Sequence, residues 1–78
     1  MKYDVQKLEQ LSLADLIALE AFMEKRRNHW TKVASGFPED SDYHDNAMNN
    51  HKICTSVRDI AAGTVADRLN EIFPDYEI

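Results

Sequence analysis

The sequence predicts an all-α protein: a long antiparallel helical hairpin with a short N-terminal helix packed on its overhang, an uneven three-helix bundle. Three observations predict it. Apolar residues recur at spacings of three and four through two long segments. Gly36 and Pro38 divide those segments once, near the middle of the chain. No segment alternates apolar and polar residues between turn signals, as a strand would.

The first helix is expected over about 5–11, with Asp4 accepting an otherwise unpaired backbone N–H of its first turn. Ser12 restarts the chain, and with Asp15 it approximates a capping box. The second helix then runs over about 13–35. Gly36 supplies a residue for its C-terminal cap, and Pro38 forbids continuation. The third helix is expected over about 42–73, capped by Ser41 or Asp42 and stopped by Pro74. Gly63 is a soft point in it or a site of close helix approach, and a break there into two helices is the alternative.

In the second helix Leu16, Leu19, Met23, Trp30 and Val33 form an apolar stripe, with Arg26 in its one gap and Leu13, Ile17 and Ala34 widening it. The third helix answers with Ile53, Cys54, Val57, Ile60, Ala61, Thr64 and Val65, extended by Leu69 and Ile72. Facing stripes joined by a short loop make an antiparallel hairpin. At 1.5 Å rise per residue the helices are ~35 Å and ~48 Å long, so the third overhangs by roughly three turns. Val5, Leu8 and Leu11 are expected to fold back over Val65, Leu69, Ile72 and Phe73 there. Phe22 and Leu19 lie toward one flank of the stripe and Ile17 toward the other, an arc wider than a two-stranded seam requires. A twofold homodimer would cover it; a monomer covered by its own first helix is the alternative.

The chain has 78 residues, room for a single helical domain over 1–78 with one modest core. A core of that size is marginal without a disulfide, a metal or a partner chain, and Cys54 is the lone cysteine. The opening MKYDVQKLEQ holds no apolar run, so no signal peptide is expected, and no stretch reaches the length of a membrane span. With a single thiol this points to a cytoplasmic protein. The net charge of -5 opposes generic nucleic-acid binding. That charge is unevenly placed: Lys25, Arg26, Arg27 and Lys32 form a basic patch, and Glu39, Asp40, Asp42 and Asp45 an acidic loop.

Polar residues fall among the core positions near the loop. Antiparallel pairing sets Arg27 opposite Asn50 and Trp30 near Asn46, so Arg27, Asn46, Asn50 and Tyr43 are expected to form a polar seam. Buried, such a seam must be hydrogen-bonded and would fix register. Exposed, it would be a recognition surface of Arg26, Arg27, Trp30, Tyr43, Asn46 and Asn50, rich in the types enriched at interface hot spots. These six are the candidate partner-binding residues.

No catalytic residue, metal ligand or cofactor is assigned. His44 and His51 are seven apart, whereas a single-helix metal site prefers three or four. Cys54 lies on the apolar stripe, where a thiol behaves as a small hydrophobe. Glu20 and Glu24 are expected to pair with Arg27 and Asn28 along the helix. The expected function is therefore a small non-enzymatic protein–protein interaction module, of adaptor or inhibitor type and self-associating, with a protein as its partner. It is expected to dock either through Arg26, Arg27, Trp30 and Tyr43 or through the acidic loop with Asp75 and Glu77, which would compete for a basic, nucleic-acid-binding surface. The first alternative is a nucleic-acid-binding regulator using the Lys25, Arg26, Arg27 and Lys32 patch. The second is a metal-dependent helical enzyme. In general character, an acidic and catalytically bare helical chain resembles the small accessory proteins of phages and mobile elements.

Overall fold

The computed structural model describes residues 5–73. Asp4, Pro74, Asp75 and Glu77 lie outside the described residues, as does the side chain of Val5. Among the described residues there are three helices and no strand: α1 (Val5–Glu9), α2 (Leu13–Ser35) and α3 (Asp42–Ile72). No described helix is long and apolar enough to cross a membrane.

Local chemistry fixes the helix ends. α1 stops two residues short of expectation because the chain tightens into i→i+3 bonds. Gln10 N–H donates to the Lys7 carbonyl and Leu11 N–H to the Leu8 carbonyl, both at 3.2 Å. Ser12 then caps α2: its backbone is extended, and its Oγ accepts the Asp15 N–H at 3.1 Å. Ser41 does the same for α3, accepting the His44 N–H at 3.1 Å while its hydroxyl donates to the Pro38 carbonyl at 2.8 Å. Asp42 and Asp45 place negative charge in the first turn of α3, where the helix dipole favours it. At the end of α2, Gly36 has φ -82°, so the turn does not use glycine's access to left-handed backbone. The helix closes instead through i→i+3 bonds from Gly36 and Phe37. α3 runs unbroken through Gly63, which settles the alternative of two shorter helices.

α2 and α3 pack against each other as the predicted hairpin. The buried residues of α2 are Leu16, Met23 and Ala34; those of α3 are Ala47, Cys54, Val57 and Ala61. Ala47, Cys54 and Ala61 stand seven apart on one line of α3, and all three are small. They let the α2 backbone approach, so the bulk of Leu16 and Met23 fills the space between the helices. Ile53, Ile60, Leu19 and Trp30 are larger and sit half-buried at the edge of this line.

α1 does pack back on α3, but not over the far end. Leu8 is buried in one cluster with Met23, Cys54 and Val57, and Leu11, Leu19 and Ile60 pack against that cluster. The Arg68 guanidinium holds α1 in place by donating from Nη1 to the Leu11 carbonyl and from Nη2 to the Glu9 carbonyl. Those carbonyls would otherwise be open at a helix end. The cover expected over the overhang therefore stops short. Leu69, Ile72 and Phe73 are exposed, because five helical residues reach one groove of the hairpin and no further.

Candidate functional site

At 100° per residue, the two sides of the α2 stripe carry different chemistry. Leu19, Arg26 and Trp30 lie on the side where Leu8 packs. Glu20, Glu24 and Ile17 lie on the other, and with Ala21 and Arg58 they line a shallow open groove.

Trp30 is the most constrained of the candidate residues. Its ring packs against the core cluster, and its indole nitrogen is sealed from solvent with no acceptor among the described residues. One turn earlier, Arg26 places its guanidinium carbon 5.5 Å from the centre of the Trp30 ring, a cation–π arrangement. His29 meets the same ring edge-on at 5.2 Å. Arg26, His29 and Trp30 thus form one preassembled polar–aromatic cluster toward the loop end of α2.

The loop itself presents a second aromatic element. Tyr43, in the first turn of α3, is 71% exposed and stacks on Phe37 at 5.2 Å with an interplanar angle of 24°. Ser41 and Pro38 hold the intervening turn through two hydrogen bonds. Asn46 is exposed and Asn50 half-buried.

The expected polar seam is not a buried network. No polar residue is buried among the described residues. The line facing α2 is Ala47, Cys54 and Ala61, which leaves Asn46 on the surface, lining a shallow depression with His44, Asp45, Met48, Asn49 and Lys52. Arg27 leaves the seam altogether. Its Nη2 donates to Glu24 Oε1 at 2.5 Å, as the spacing along the helix suggested, while its Nε is sealed without a partner among the described residues. The structure thus gathers Arg26 and Trp30 on one flank, places Tyr43 at the loop, and pairs Arg27 with Glu24 of the opposite groove.

There Arg27 shares Glu24 with Arg58, a residue that sequence reasoning missed. Arg58 Nη1 donates to Glu24 Oε2 at 2.6 Å, and its Nε and Nη2 both donate to Asp59 Oδ1, at 3.1 and 2.8 Å. The hydrogen bond from Arg27, then that from Arg58, holds the Glu24 carboxyl at about 2, below its ordinary 4.5. Glu24 and Asp59 in turn raise the pKa of Arg58 above its ordinary value. The signal that could have found Arg58 is its position four residues after Cys54 on α3, which turns it toward the α2 groove.

Among the described residues no group of three His, Cys, Asp or Glu side chains comes together as metal ligands. His44 and His51 remain two turns apart, and the nearest carboxylate to His44 Nδ1 is Asp45 at 3.8 Å. Cys54 is fully buried. No family model, curated protein or solved structure matches the chain.

Proposed function

We propose that the chain is a non-enzymatic protein-interaction module, of adaptor or inhibitor type, that docks an unlike protein on the flank carrying Arg26 and Trp30 and on Tyr43. One observation carries this reading: Arg26 is held over the Trp30 ring, 5.5 Å from its centre, so the two residues stand preassembled on one flank of α2. An Arg–Trp pair held in place before binding loses little side-chain freedom when a partner docks on it. Trp, Tyr and Arg are also the types that dominate interface energetics. The stacked Phe37–Tyr43 pair offers a second exposed aromatic surface at the loop end of the hairpin. Self-association belongs to the same reading, since Phe22 is 54% exposed on that flank.

The test is titration of a partner, identified by crosslinking, against the wild-type chain and against Trp30→Ala, Tyr43→Ala and Ile72→Ala. Ile72 is exposed at the far end and serves as the control. Loss of affinity by about tenfold or more in the first two variants, with Ile72→Ala unchanged, supports the reading. Equal binding by all four chains rejects this surface. A docking that survives added salt further separates this aromatic surface from charge capture by the acidic loop.

A further inference from the structure

We propose that a second copy of this chain docks antiparallel on α2. Leu19 and Phe22 of each copy then pack against Phe22 and Leu19 of the other, with an Asp15–Arg26 ion pair on either side. This deepens the reading of the chain as an interaction module, and rests on it. Asp15, Leu19, Phe22 and Arg26 follow one another at spacings of four, three and four, so they form one stripe along α2. In chain order the stripe runs acid, apolar, apolar, base. An antiparallel copy presents it in reverse, base against acid and apolar against apolar. That self-complementarity is what a twofold interface between identical chains demands.

Phe22 and Asp15 are open to a second copy, while Leu19, whose inner side packs on the Leu8 cluster, offers only its outer edge. Phe22 is 54% exposed, Asp15 is exposed, and Leu19 and Arg26 are half-buried. Arg26 is already held over Trp30, which leaves less side-chain freedom to lose on pairing. Ala18, exposed beside the stripe, is small enough for a second helix to come close.

The charge order extends over the whole helix. Asp15, Glu20 and Glu24 precede Lys25, Arg26, Arg27 and Lys32 without mixing. The helix dipole accounts for such order only in the first and last turns, whereas Glu20, Lys25 and Arg26 lie in the middle.

The experiment is solution mass by light scattering over a concentration series. It compares the wild-type chain, Asp15→Arg, Arg26→Asp, the double variant, and an equimolar mixture of the two single variants, each checked for helicity by circular dichroism. Wild type is expected to rise toward twice 9.0 kDa. Each single variant sets like charges opposite each other and is expected to weaken association about tenfold or more. The double variant and the mixture are expected to recover the dimer, because every pair is again of opposite sign. Wild type that stays at 9.0 kDa throughout overturns the proposal, while docking of an unlike protein is still judged by Trp30→Ala. A dimer indifferent to both single variants, or a mixture no heavier than its components, overturns the pairing and leaves self-association by another face.

Discussion

The Glu24 carboxylate of α2 accepts one guanidinium from its own helix, Arg27 at 2.5 Å, and one from across the hairpin, Arg58 at 2.6 Å. This side-chain bridge between the two long helices holds the carboxyl at about 2 against an ordinary 4.5. A carboxyl depressed on folding stabilises the folded state above its unfolded pKa and loses that contribution as pH falls through its folded one. The window here lies between about 4.5 and about 2. Urea midpoints should therefore fall through this range, and Glu24→Gln should flatten the fall. The effect is expected to be small at neutral pH, because Glu24 and Arg58 keep 40% and 27% of their side chains exposed and solvent screens the pair.

Gly63 should be replaceable with gain. It lies inside α3, is exposed, and a Cβ built on it meets nothing within 4 Å. Its φ is not positive, so no left-handed backbone requires a glycine. Gly63→Ala is expected to stabilise the chain by about 0.5–1 kcal/mol through helix propensity. Thermal or urea denaturation checks it; a loss of stability would mean that a second chain packs closely at this position.

The hairpin was legible because its signals are local and strong. Ser12 and Ser41 cap helices by a side chain reaching three residues on, and the Gly36–Pro38 break stands alone between two long periodic segments. The rotation of α3 was less legible. The sequence stripe holds Cys54, Val57 and Ala61, which the structure buries, but it also puts Asn46 and Asn50 in line with them. The contact line is Ala47, Cys54 and Ala61, whose small side chains give a weak hydrophobic signal but allow the closest approach. Of the Glu24–Arg58 bridge only the direction of Arg58, four residues after Cys54, was open to reading; its partner depends on the register between the helices. Arg26 and Trp30 were named for their residue types; that one lies over the other follows from their four-residue spacing on α2.

That small-residue line predicts the cost of enlarging it. Ala61 is fully buried between the long helices, so Ala61→Leu must push α2 and α3 apart or force strained rotamers. A loss of about 1–3 kcal/mol is expected, read from the urea midpoint. The same packing should protect the neighbouring Cys54 thiol. A thiol reagent should modify Cys54 in the wild-type chain only as fast as the hairpin opens, and faster in Ala61→Leu. Immediate stoichiometric modification of the wild-type chain would contradict a closed Leu16–Met23–Cys54 interior.

Arg68 should decide whether α1 stays docked. α1 has only five residues, too few to form an isolated helix. Its hold on the hairpin rests on Leu8 in the core cluster and on the two carbonyls that Arg68 caps at Glu9 and Leu11. Arg68→Ala removes both charge-assisted bonds and leaves those carbonyls to water, while α2 and α3 keep all of their own contacts. Limited trypsin digestion reads the result at Lys7, which lies within α1 and is exposed. Cleavage after Lys7 is expected to speed up in Arg68→Ala, with the spacing of cuts in α2 and α3 unchanged and helicity nearly constant. Leu8→Ala should act the same way and also lower the urea midpoint, by about 2–4 kcal/mol of stability, because it empties a buried site. If Arg68→Ala leaves the Lys7 cut as slow as in the wild-type chain, the Leu8 anchor alone holds α1 and the carbonyl caps add nothing measurable.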